Sequence, residues 1–124
     1  MAAIKRIDPR YGQGIPEFLK EITTLSRYNH INLISLLGFC YQGDEMILVY
    51  EYASRGSLDH HLNSPRLTWT RCLKICVDVA KVLSYLHDPK ETPQLIHCDM
   101  KSVNILLDDH WNVGSIIVTI MIKL

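Results

Sequence analysis

His97-Cys98-Asp99-Met100-Lys101-Ser102-Val103-Asn104 is the stretch on which the reading of this chain turns. Reduced to H-x-D-x-K-x-x-N, it sets an acid, a lysine and an amide at the spacing a phosphoryl-transfer loop requires. Asp99 can accept the proton of an attacking hydroxyl, Lys101 can neutralise charge on the transferred phosphoryl group, and Asn104 can hold a magnesium ion through its side-chain oxygen. Leu95-Ile96 before the octapeptide and Ile105-Leu106-Leu107 after it read as short buried strands, so rigid elements carry the loop on both sides.

Upstream of the loop, Trp69 to His87 reads as one long helix, apolar almost all round, with Arg71, Lys74, Asp78 and Lys81 on a narrow stripe. A helix of that kind is expected to be buried, with Cys72, Leu73, Cys76, Val79, Ala80, Leu83 and Leu86 in its core and a weak Lys74–Asp78 pair on its surface. Asp88-Pro89-Lys90-Glu91-Thr92-Pro93 ends it. Before it, Ser57 is placed to cap a short helix over Leu58 to Leu62. Leu33 to Tyr41 and Met46 to Tyr52, on either side of Gln42-Gly43-Asp44-Glu45, read as an antiparallel hairpin.

At the amino terminus Ala3, Lys5 and Ile7 share one face of a strand, and Pro16 with Glu17 opens a helix that runs to about Tyr28. Phe18, Ile22 and Leu25 form the apolar stripe of that helix, and Glu21 falls on it. An inward carboxylate is costly without a partner, and Lys5 is the other misplaced charge nearby, so the economical expectation is a Lys5–Glu21 ion pair.

The bulk composition narrows the function classes. In 124 residues there is room for one modest core or part of a larger one. Thirteen basic and thirteen acidic residues cancel, which argues against a general grip on nucleic acid or an anionic membrane and leaves phosphate binding to local groups. No apolar leader opens the chain, and the tract Ile116 to Ile122 is too short to cross a bilayer, so a soluble, cytoplasmic chain with reduced thiols is expected. Cys72 and Cys76 stand four apart, a spacing that can hold a metal but more simply packs two small apolar side chains. A metal site of His87, His97, Cys98 and His110 has no zinc-like spacing to support it.

Taken in order, A-I-K at Ala3-Ile4-Lys5, the inward Glu21, the stretch L-V-Y-E-Y-A-S-R-G-S-L from Leu48 to Leu58 and the octapeptide resemble the catalytic domain of protein kinases. Asp8 to Phe18, Leu67-Thr68-Trp69 and Ile105-Leu106-Leu107-Asp108 are similar to plant receptor-like serine/threonine kinases of the malectin-domain, FERONIA-like group. That likeness implies an α+β, partial two-lobed kinase-like fold, truncated at both ends. Residues 1–53 would be a partial N-lobe of small antiparallel sheet plus one helix, 54–113 a partial helical C-lobe with the catalytic loop, and 114–124 an apolar tail outside the family pattern.

The resemblance also assigns roles. Lys5 would hold the α- and β-phosphates of ATP with Glu21 orienting it, Ala3 would line the nucleotide site, and Tyr50 would be the gatekeeper. Backbone groups from Glu51 through Tyr52 to Ala53 would bond the adenine edge. Asp99 would be the catalytic base, Lys101 would meet phosphate and Asn104 would bind Mg²⁺. The partners implied are ATP and a protein substrate, with docking to other kinases as a further possibility and no nucleic acid. The parent family sits at the plasma membrane with its kinase domain in the cytosol.

Three departures accompany the likeness. Only four residues precede Lys5, leaving no glycine-rich loop, and Gly114-Ser115-Ile116-Ile117 follows where the family runs into D-F-G. Cys98 replaces a common arginine. The expectation is a kinase by descent with little or no turnover in this chain. The alternative is a non-catalytic interaction or decoy module, or a nonfunctional gene fragment.

Overall fold

The structure is a computed structural model that describes residues 1–10, 14–88, 90, 95–97, 100–117 and 120–122, the strands at 95–97 and 120–122 by backbone alone. Two compact units divide it. The first holds residues 1–29 and 34–52, the second 30–33 and 53–124.

In the first unit, β1 (Ala2–Ile7), β2 (Leu36–Gln42) and β3 (Glu45–Glu51) form an antiparallel sheet in the order β1-β3-β2. β2 and β3 are the expected hairpin, turning through Gly43 at a positive φ of 59° that glycine accepts without strain. Pairing sets Lys5 opposite Leu48 and Ala3 opposite Tyr50. Met46, Leu48 and Tyr50 alternate onto one buried face of β3.

Helix α1 (Ile15–Arg27) packs on that face. Pro16 in its first turn, Glu17 beside the positive end of the dipole and Arg27 in its last turn suit a helix at those places. Phe18, fully buried, meets the ring of Phe39 edge-on at 6.1 Å and that of Tyr41 at 5.8 Å, which fixes the helix over the sheet.

The second unit is built around α2 (Trp69–Leu86), capped by the Thr68 hydroxyl, which accepts from the Arg71 amide. The expected helix over Leu58 to Leu62 is instead a 3₁₀ turn, Leu58–His61, and Ser57 makes no side-chain cap bond. β4 (Leu95–His97) pairs with β7 (Ile120–Ile122), and β5 (Ile105–Leu107) with β6 (Val113–Ile116), all antiparallel. Among the described residues this unit is thus one long helix with two small sheets, and Val113–Ile116 and Ile120–Ile122, expected as part of an apolar tail from 114 on, are strands in them. The connector from α1 to β2 belongs here as well: Leu33 bridges Ile116, and the Ile116 amide donates to the Asn32 carbonyl at 2.9 Å.

The core of α2 differs from the expectation. Ile75, Val82 and Leu86 are buried, whereas Leu73, Cys76 and Ala80 are exposed. Because the helix is apolar on nearly every side, its sequence did not say which arc would face a neighbour. β4 and β6 pack against it and leave part of its surface open. The Lys74–Asp78 pair is likewise replaced: Lys74 donates to the Asn112 side chain, and Asp78 sits 4.0 Å from Lys81.

Candidate functional site

The first unit holds the ion pair expected between β1 and α1. Lys5 Nζ donates to Glu21 Oε2 at 2.9 Å, and Glu17 Oε1 lies 3.8 Å from the same nitrogen. The carboxylate is 12% exposed and the lysine side chain 44% exposed, so Glu21 is held in the interior while Lys5 keeps access to an anion. The helix stripe and the strand alternation bring the two side chains together, for Lys5 and Leu48 share the face that α1 covers.

One participant is not visible in the sequence pattern of α1. The Tyr50 hydroxyl donates to Glu21 Oε1, so each oxygen of that carboxylate has its own donor. Burial first, then the hydrogen bond and charge of Glu21, hold the Tyr50 phenol well above the ordinary tyrosine range. The signal for this contact lay in strand register: Tyr50 pairs with Ala3, two residues from Lys5 and on its face.

The stretch after Tyr50, expected to meet the adenine edge, is more open. The Glu51 amide donates to the Ser35 carbonyl at 3.0 Å, Tyr52 is 47% exposed, and the Ala53 carbonyl accepts from Gly56 at 3.2 Å.

In the second unit, Lys101 is exposed just before a 3₁₀ turn, Ser102–Asn104, and its carbonyl accepts from the Asn104 amide at 2.9 Å. Asn104 is buried, and its own carbonyl accepts from the Ile117 amide at 2.8 Å. The strand β4 that leads to the octapeptide is present, but Cys98 and Asp99 lie outside the described residues, as does the side chain of His97.

The octapeptide leads directly into the β5–β6 hairpin. Its turn is tied by Asp108, whose carboxylate accepts from the amides of His110 and Asn112, both at 2.9 Å, and from Asn112 Nδ2 at 3.1 Å. Burial pushes this carboxyl up, but the bonds from Asn112 and His110 outweigh it and hold it below the usual carboxylate range.

A family profile described as protein tyrosine and serine/threonine kinase matches residues 1–120. The chain belongs to the protein kinase family. A probable receptor-like protein kinase of Arabidopsis thaliana is 51% identical over 112 residues, which make up 88% of this chain and 13% of the relative. The Arabidopsis receptor-like protein kinases HERK 1 and ANXUR2 are each 46% identical over 112 residues, with the same shares. The chain therefore spans 13% of the length of these curated relatives, and it sits among the plant receptor-like kinases that its motifs resemble.

In a kinase the magnesium ions are held by the catalytic-loop asparagine and the aspartate of D-F-G. Here the residue bonded alongside Asn104 is Ile117, whose side chain has no oxygen to offer. Among the described residues no group of three or more His, Cys, Asp or Glu could hold a metal ion. The magnesium set does not fit beyond Asn104. The phosphate-holding lysine does fit, because Lys5 is oriented by a buried carboxylate and still half-exposed. Among the described residues no helix is long and apolar enough to cross a membrane.

Proposed function

We propose that this chain carries the nucleotide- and loop-side residues of an ATP-dependent protein serine/threonine kinase, and that it transfers phosphate slowly or not at all. The reading rests first on the Lys5–Glu21 bond of 2.9 Å, formed between residues 16 apart and completed by Tyr50. In this reading Lys5 binds the α- and β-phosphates, and Glu21 keeps its ammonium group aimed at them. Ala3 and the backbone of Glu51, Tyr52 and Ala53 receive the adenine. Asp99 takes the proton of a serine or threonine hydroxyl, and Lys101 offsets charge on the moving phosphoryl group. Lys101 in this loop supports the serine/threonine assignment.

Bound magnesium would neutralise the developing phosphate charge, and among the described residues Asn104 is the one the family pattern would use to hold it. With Ile117 beside that asparagine, turnover is the function most reduced, while Lys5 still offers a phosphate contact. The chain would work in the cytosol, as the kinase part of a protein like the relatives named receptor-like protein kinases.

The test is calorimetric titration of ATP into the chain, in magnesium and again in EDTA. ATP is expected to bind equally in both, with Lys5→Met weakening it at least about tenfold because a charge-assisted phosphate contact is lost. Circular dichroism of the variant checks its fold. Binding that requires magnesium, or that a folded Lys5→Met chain keeps, would overturn the reading.

The second reading is a non-catalytic module that docks on other kinases. The open arc of α2 favours it: Trp69 is 75% exposed, and Leu73 and Val77 are exposed beside it.

A further inference from the structure

Around Trp111 the second unit gathers positive charge that the kinase reading does not use. Arg55 precedes the 3₁₀ turn, with its amide bonded to the Leu107 carbonyl of β5 at 3.1 Å. Arg71 stands in the first turn of α2. Their guanidinium carbons lie 4.6 and 4.8 Å from the centre of the Trp111 ring, and the edge of His61 meets the same ring at 5.1 Å.

Each guanidinium is steadied by a neutral carbonyl. Arg55 donates to the Asp109 carbonyl at 3.2 and 3.3 Å, and Arg71 to that of Arg66. Neither has a carboxylate within ion-pair distance among the described residues. The carboxylate of the neighbouring Asp108 is already taken by His110 and Asn112.

Two cations over one ring repel each other, and the ring's attraction for each offsets this only in part. The backbone adds a second sign of a constrained site. Trp111 is buried with φ at 63°, a left-handed conformation that is strained for a bulky side chain and must be held by its surroundings. The hairpin turn and the two arginines do that holding.

We propose that Arg55 and Arg71 bind a phosphate monoester dianion at the edge of Trp111. Both guanidinium carbons lie within 4.8 Å of one ring centre, and at the edge of the ring each fork can turn paired N–H groups onto one tetrahedral oxyanion. A carboxylate carries one charge and satisfies one fork. A dianion satisfies both. The chemistry is shared by the free ion and by a phosphorylated serine or threonine side chain.

The test uses Trp69→Phe, which leaves Trp111 as the one tryptophan and so as a local fluorescent reporter. Inorganic phosphate, N-acetyl-phosphoserine amide and N-acetyl-serine amide are titrated at constant ionic strength, with chloride as the control. The expected result is a saturable change with both phosphates and none with serine amide. Arg55→Lys and Arg71→Lys keep the charge but lose the fork, and each is expected to weaken the response at least about tenfold. Tighter binding of the phosphoserine compound assigns the site to a modified side chain, and equal binding assigns it to the free ion. No saturable change with either phosphate, an equal response to chloride, or full binding by both folded lysine variants would overturn the proposal.

Discussion

Glu21 takes a different donor on each of its oxygens, and that asymmetry gives Tyr50 a measurable role. Tyr50→Phe removes the hydroxyl and leaves a half-buried carboxylate oxygen short of a partner, which is expected to cost about 1–2 kcal/mol in denaturant unfolding. A pH profile separates this from simple loss of packing. The Tyr50 phenol is raised in the folded chain, so its contribution is complete below the ordinary tyrosine pKa of about 10 and is lost as pH rises beyond it. Stability should therefore fall more steeply above that pH in the unaltered chain than in Tyr50→Phe; parallel alkaline limbs would refute the assignment. The Lys5–Glu21 pair was legible because two charges broke otherwise apolar patterns, one of period two and one of period 3.6. Tyr50 was not, since a tyrosine on a buried strand face breaks no pattern and its partner is set by register across three elements.

Among the elements, the β5–β6 hairpin depends on a single carboxylate. Asp108 ties the turn through three hydrogen bonds and has its pKa lowered in the folded state. Its contribution is present above the ordinary aspartate value of about 3.9 and is lost as pH falls below that toward the folded pKa. Asp108→Asn keeps the shape but cannot accept from Asn112 Nδ2, so it should lower stability at neutral pH by about 1 kcal/mol and flatten the acid limb. Thermal melts from pH 2 to 7 read both effects, and an unchanged acid limb would contradict this role. β1, β3, β5 and both long helices could be read from the sequence to within a residue or two at their ends, whereas β2 begins three residues later than expected and β6 and β7 were not foreseen. Two further element-level features could not be read. Trp111 gives no sequence sign of a left-handed backbone, which its surroundings impose. An all-round apolar helix such as α2 does not declare which arc has a neighbour, so Leu73, Cys76 and Ala80 were misplaced in its core.

At the scale of the whole molecule, the two units divide between them the residues proposed for kinase chemistry. Lys5, Glu21 and Tyr50 belong to the first, Lys101 and Asn104 to the second. The family was readable because its motifs come in a fixed order, and each alone is weak. The effect of Ile117 was only half readable: the missing aspartate shows in the sequence, but the isoleucine's place beside Asn104 comes from the hydrogen bond between their backbones. The proposed phosphate contact of Lys5, with the metal set incomplete beyond Asn104, is the basis for proposing a kinase-derived chain that binds nucleotide better than it turns it over. The most direct measurement is incorporation of the γ-phosphate of radiolabelled ATP into a generic protein substrate in magnesium, with Asp99→Asn alongside. The account predicts incorporation no greater than that of the variant. Incorporation that Asp99→Asn abolishes would contradict it.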